Sequence, residues 1–468
     1  MIDPVIYTNM ERIEGPLVTL ISSLSEVGYS ESVILVDKSG QQRHGRVVLL
    51  DEDRVTVEIF EGTAGLSQHD CRMRFTGAPI TLNVDASIIG RQLDGMGRPI
   101  DGGPPLAGEA RDVQGSAMNP VGREYPEDFI QTGISCIDAM NALVRGQKLP
   151  IFSSSGLPHD QLAIQIAQQA RIRPDLSGKV SEEEELVVVF AAIGVKHDVA
   201  VRFAEEISGY TVTFLNLADD PAMERLLTPR LALTAAEYLA FDLGYHVLVI
   251  LTDMTVYGEA LREIATARGD VPSRKGYPGY LYSDLASIFE RAGRIKGKRG
   301  SITQIPILTM PNNDITHPIP DLTGYITEGQ IVLSRDLFRQ GCYPPVDLLP
   351  SLSRLMGDGV GEGLTRKGHI PLMGQLYAAY ARTQEARMMG RIVGEADLPE
   401  IDRCYLEFGK CFEQFFIRQD SDENRRIEDS LDLGWRTLGC LPRTELTRLS
   451  EADIQAHAAL LDEGVRAV

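Results

Sequence analysis

Apolar positions follow three successive rhythms along this chain. From about Leu17 to Val84 they alternate with polar ones in short runs, Val33 to Val36, Gly45 to Leu50, Val55 to Phe60 and a further run from Cys71 to Val84, the first three separated by DKSGQQ and DEDR. A period of two broken by Gly, Asp and Ser predicts short strands, and strands at this spacing predict a small β-barrel, although another small β domain fits equally. A Gly/Pro/Asp-rich passage, Gly90 to Gly108, reads as a boundary loop. Beyond it comes Leu186 to Ile193, apolar throughout, after the acidic run Glu182 to Glu185, followed by strand patterns at Thr211 to Leu217, His246 to Leu251, Ile302 to Met310 and Ile326 to Ser334. Helical spacing separates them at Val199, Phe203 and Ile207, from Ala222 to Leu243, and from Arg262 to Ala267. Strands apolar on both faces that alternate with helices predict a doubly wound α/β domain. After about Leu355 the strand patterns stop, and Leu372 to Gly394, Asp402 to Phe416 and the tail from Glu451 predict a helical bundle.

The 468 residues exceed one compact core and imply two to four domains, with 43% hydrophobic residues as in an ordinary globular protein. A net charge of −20 without a Lys/Arg block argues against nucleic acid or an anionic membrane surface as the main partner. The N-terminal MIDPVIYTNMERIEG has no basic segment followed by an apolar one, and no apolar run approaches the roughly 20 residues of a spanning helix. The expected setting is the cytoplasm, or the periphery of a membrane. Six cysteines without CxxC or metal spacing read as reduced thiols.

The chemistry centres on Lys148 to Ile172, KLPIFSSSGLPHDQLAIQIAQQARI, whose order of strand, small-residue loop and helix is that of a phosphate-binding loop. Such a loop places Gly, four residues, Gly, Lys and then Ser or Thr around a nucleotide: glycines free the backbone N–H groups, the Lys reaches the outer phosphates and the hydroxyl holds magnesium. Here those positions are Ser153, Pro158, His159 and Asp160, with Ser154, Ser155, Gly156 and Leu157 between them. Pro158 has no N–H, and Asp160 repels a triphosphate unless a metal intervenes. The same residues also suit a plain strand-to-helix turn with Asp160 as N-cap. HVLVILTD, His246 to Asp253, ends a buried strand in a carboxylate that phosphate-loop enzymes use for magnesium, and that also suits a helix N-cap. At the end of LVVVFAAI, where an ATPase of this architecture needs a carboxylate to orient water, the chain reads Gly194-Val195-Lys196-His197. In GCYPPVDLLPSLSRLMGDG, Arg354 follows a Pro-rich loop. An Arg offered to a neighbour's phosphates can stabilise phosphoryl transfer, whereas an ordinary surface Arg sits in an ion pair.

From GPLV at Gly15 through LDGMGRPIDGGPP, PEDFIQTGISCIDAMNALVRGQKLPIFSSSGLPH, IPDLTGYITEGQI and YPPVDLLPSLSRLM, nearly the whole chain resembles the B subunit of the V-type and archaeal-type rotary ATPases, the non-catalytic partner of the ATP-hydrolysing A subunit. The resemblance implies an N-terminal β-barrel (1–75), a central RecA-like α/β domain with a degenerate phosphate loop (76–355) and a C-terminal helical domain (356–468). It implies three copies alternating with three catalytic A subunits around a central stalk, peripheral stalk subunits near the barrel, and membrane association only through the complex. It further implies that Arg354 acts in trans as the arginine finger, that the loop from Ser153 to Asp160 is a weak or empty ATP/ADP site, and that Asp253 is vestigial. No cofactor of the chain's own is required. Asp160 departs from the family, in which Asn commonly follows GLPH. The rival readings are a self-sufficient ATPase of an export or secretion motor, against which the absent Lys counts, and an RNA-tracking hexamer, against which the acidic charge counts.

Overall fold

The computed structural model describes residues 6–7, 10–21, 27–51, 53–69, 71–115, 117–172 and 186–465, so the acidic run at 182–185 lies outside the described residues. Packing groups the chain into two units: Met1–Asn119, Val187–Leu243 and Leu251–Arg291 form one, and Pro120–Leu186, Gly244–Ile250 and Ala292–Val468 form the other.

In the first unit the alternating segment becomes a seven-stranded antiparallel sheet in the order Ile6–Tyr7, Arg72–Phe75, Ser32–Val36, Gln42–Asp51, Arg54–Ile59, Leu17–Ile21 and Met10–Glu14. Side chains one residue apart face opposite sides, so every second position of Gln42–Asp51 begins buried, and Val33, Leu35, Val47, Val55, Val57 and Met73 share one core. The run from Cys71 to Val84 is two strands, because Thr81–Val84 leaves this sheet and pairs with Glu109–Asp112. The Gly/Pro passage is more than a boundary. Gln92–Asp94 pairs in parallel with Thr213 to Leu215, and the Asp94 carboxylate accepts from Met96 N and Arg98 N to close the turn. Leu186–Val195, Thr211–Leu217 and Gln92–Asp94 thus form a parallel layer, with the helices His197–Glu206, Ala222–Glu237, Met254–Arg268 and Leu281–Phe289. The last of these helices was not legible in the sequence, whose Tyr277 to Tyr282 reads only as a loop.

Glu224, in the first turn of Ala222–Glu237, is buried beside Asp220 and 3.8 Å from Arg98, which it shares with Glu61 and Asp94. Burial, then the Asp220 charge, raises its carboxyl to about 7. A carboxyl raised on folding holds its proton longer in the folded state, so this group's contribution falls as pH rises from the unfolded value near 4.5 through 7. Glu224→Gln is therefore expected to leave stability unchanged at pH 4 and to exceed the native chain by roughly 1–2 kcal/mol at pH 8. Urea midpoints that move in parallel at the two pH values would contradict this.

In the second unit a sheet runs in the order Val346–Ser353, Gly329–Leu333, Ile151–Ser154, Ser301–Met310 and His246–Thr252. Ile151–Ser154 pairs in parallel with both Ser301–Met310 and Gly329–Leu333. Two expectations change here. The apolar run from Ile326 begins as the end of the helix Pro318–Ile326, started by a proline at its first position, where the missing N–H costs nothing, and the strand starts only at Gly329. The Pro-rich loop before Arg354 is the strand Val346–Ser353, which tolerates Pro350 because it pairs on one side only. Beyond it lie the helices His369–Val393, Glu400–Cys411 and Ile427–Leu438, with a wider-wound turn at Phe412–Ile417 and two short helices at Glu451–Ala456 and Ala458–Glu463. Phe408, Phe412 and Phe416, four residues apart, stack with centroids 5.5 and 4.8 Å apart. Buried Gln165 and Gln419 tie these helices to the sheet layer: Gln165 donates to the carbonyls of Asp420 and Glu423, and Gln419 to that of Gly133.

Candidate functional site

The strand Ile151–Ser154 is buried throughout, and the helix His159–Gln169 follows after four residues. Between them Gly156 has φ +80°, a left-handed conformation that explains why the one glycine of the loop stands there. The loop spends its own polar groups. Leu157 N donates to Ser154 O, His159 N to Leu157 O, and the Ser153 hydroxyl lies 2.9 Å from His159 Nδ1. The Ser155 carbonyl accepts from Arg335 at 2.7 Å. The N–H groups of Leu157 and His159 are thus engaged within the loop, and Pro158 has none to offer. Asp160 does not cap the helix, as one reading expected. Pro158 occupies the cap position, and Asp160 sits one residue inside the first turn, where a carboxylate suits the helix dipole but opposes a bound anion. These residues do not fit a magnesium–nucleotide triphosphate, and no group of three or more potential metal-ligating side chains occurs among the described residues.

Arg354 lies in the same unit as the loop, directly after Val346–Ser353. Its side chain is exposed and donates to Thr327 O at 3.2 Å, its backbone N donates to Glu328 O, and no carboxylate pairs with it among the described residues. Beside it opens a pocket of about 540 Å³ whose wall includes Leu349, Leu352, Ile370, Met373 and Tyr377. Leu352, Ile370 and Tyr377 are all well exposed, so the cation stands in an apolar surround.

Asp253 belongs to the other unit. It caps Met254–Arg268, accepting from Thr255 N at 2.8 Å, which is the structural use the sequence left open. The strand expected to end at Ile193 runs on to Val195. The nearby His197 pairs with Asp219 at the surface, 3.0 Å away, and residues 194–197 supply no carboxylate.

The model of the ATP synthase alpha/beta family nucleotide-binding domain matches residues 133–353, that of its beta-barrel domain residues 11–77, and that of the C-terminal domain of V and A type ATP synthase residues 358–458. The chain is 56% identical to the V-type ATP synthase beta chain of Thermotoga neapolitana, over 98% of this chain and 99% of that one. It is 55% identical to the A-type ATP synthase B subunit of Aeropyrum pernix, over 96% and 97%. It belongs to the family of V-type ATP synthase beta chains and A-type ATP synthase B subunits. The solved ATP synthase subunit NeqB from Nanoarcheaum equitans superposes with a TM-score of 0.69 at 39% identity, covering 90% of this chain and 98% of that one. The barrel, the nucleotide-binding domain and the helical end expected from the sequence are thus the parts of this ATP synthase family.

Within this B-subunit chain the structure adds residues that sequence reading missed. Arg335 reaches the loop from 180 positions away, and Lys148 and Glu328, also 180 apart, pair at 2.9 Å beneath Arg354. No spacing rule links residues so distant. The weak signal was Lys148 itself, a charged residue three positions before the buried strand Ile151–Ser154.

Proposed function

We propose that this chain is the non-catalytic, regulatory B subunit of a V/A-type rotary ATPase or ATP synthase, and that Arg354 acts on nucleotide held by the adjacent catalytic A subunit. The observation that carries the reading is the state of Arg354: an exposed guanidinium without a carboxylate partner among the described residues, beside an apolar wall that strengthens electrostatics once water is excluded. The phosphoryl oxygens gain charge in the transition state, and a fixed cation placed there lowers the barrier without reorganising. The chain's own loop, lacking the phosphate Lys and with Leu157 N, His159 N and the Ser153 hydroxyl engaged internally, supports a weak or empty ATP/ADP site that regulates rather than reacts. Asp253, engaged as a helix cap, fits a vestigial metal position. In this reading three copies alternate with three A subunits around a central stalk, peripheral stalks meet the barrel, and turnover is coupled to ion movement by membrane subunits. No helix among the described residues is long and apolar enough to cross a membrane.

The purified chain is expected to show no appreciable magnesium-dependent ATP hydrolysis, and activity is expected to appear on adding the catalytic partner. Hydrolysis by the chain alone at about 1 s⁻¹ or faster, an ordinary enzyme rate, would instead favour the self-sufficient motor.

A further inference from the structure

Arg354 is held, through both its backbone and its side chain, by a strap of main chain. Its backbone N and its Nη1 both donate to consecutive carbonyls, those of Glu328 and Thr327, so the guanidinium goes where the Thr327–Glu328 segment goes. That segment is clamped from the other side. Lys148 Nζ sits 2.9 Å from Glu328 Oε1, Lys148 N donates to Glu328 Oε2 at 2.8 Å, and Glu328 N donates back to Lys148 O. The Lys148 side chain is 4% exposed and that of Glu328 29%, so the pair is shielded from the solvent that would loosen a surface ion pair. Gln147 completes the clamp, donating to Glu328 O at 3.2 Å and to the Ser353 hydroxyl at 2.9 Å. Next to the strap Gly329 leaves no slack: a Cβ there would lie 2.2 Å from Leu352 O.

We propose that Glu328, fixed by Lys148, is a positioning residue for Arg354, setting the place of the guanidinium through the Thr327–Glu328 backbone without touching nucleotide. The inference rests on the reading of Arg354 given above. Its physical basis is that a charged group tens of degrees or about 1 Å out of place forfeits most of its effect on a transition state, while substrate binding elsewhere is untouched. Loss of the clamp therefore lowers kcat and leaves KM for ATP nearly unchanged.

The test uses the assembled complex carrying Glu328→Gln, in the native chain and in an Arg354→Ala background, with steady-state ATP turnover as the readout. In the native background kcat is expected to fall about 10- to 100-fold with KM changed less than about threefold. In the Arg354→Ala background the same change is expected to cost nothing further, within about twofold. Lys148→Met reproduces the native-background loss, and Lys148→Arg, which keeps the charge, restores most of it. If Glu328→Gln does not assemble, Glu328→Asp carries the same comparison with a loss of about tenfold. An equal loss in both backgrounds, or none in either, overturns the positioning role while leaving Arg354 in place. Wild-type turnover in Arg354→Ala alone overturns the reading on which it rests.

Discussion

Arg354→Ala in the reconstituted complex is expected to lower ATP turnover by about three orders of magnitude or more, the range found when an arginine is withdrawn from phosphoryl transfer, with ring assembly unchanged. Assembly survives because the side chain forms one internal hydrogen bond, to Thr327 O, and its removal leaves no buried charge unpaired. Arg354→Lys keeps the charge but loses the planar fork, so it recovers only part of the rate. The contrast is His159, which stands where the phosphate Lys of an active loop would be. Its ring is occupied by the Ser153 hydroxyl, and His159→Ala is expected to change turnover by less than about tenfold. Turnover and size-exclusion profiles of the two variants decide the matter. Unchanged turnover in Arg354→Ala, or an equal collapse in His159→Ala, would move the chemistry away from Arg354.

Arg291→Ala carries the largest expected loss of stability. The Arg291 side chain is fully buried, and its Nε and Nη2 donate to both oxygens of Glu237 at 2.7 and 2.6 Å. Its remaining donors serve Val113 O, Arg230 O and the Thr234 hydroxyl. Truncation strands the Glu237 carboxylate, a loss of about 3–5 kcal/mol when one partner of a buried pair is removed, whereas Val113 O and Arg230 O keep the Thr234 hydroxyl as donor. Glu237 is partly exposed, which places the effect toward the lower end. Arg291→Lys, a point charge that cannot reach four partners at once, is expected to lose roughly half as much. The urea midpoint of the purified chain reads both effects, and a shift worth under about 1 kcal/mol for the Ala variant would show that solvent fills the gap.

What the sequence disclosed and withheld follows from the reach of each signal. His246–Thr252 and Leu186–Val195 were legible because strands covered on both faces are apolar at nearly every position, and Thr211–Leu217 from its β-branched and aromatic residues. The long helix His369–Val393 was legible from its periodicity. Gln92–Asp94 was hidden because three residues among glycines and prolines carry no period, and Val346–Ser353 because Pro350 signals a loop unless the strand is known to lie at an edge. For the site, residue types at fixed offsets exposed the degenerate loop from Ser153 to Asp160 and the missing carboxylate at Val195. They did not say whether Asp160 would cap, since a cap depends on where the chain bends, and it bends at Pro158. The Lys148–Glu328 clamp and Arg335 escaped because their partners are brought together only by folding.

The proline in Val346–Ser353 also shapes how other chains can meet this border of the sheet. A free strand margin normally invites a stranger to add itself by main-chain pairing, which is the route to fibrils and mispaired oligomers. Pro350 stands in the irregular stretch of that strand, between the paired residues Asp347 and Leu352, and has no N–H to offer an added strand. A neighbour docking here must recognise the relief of side chains, Leu352 and Arg354 among them, so fidelity of recognition and resistance to clumping arise from one residue.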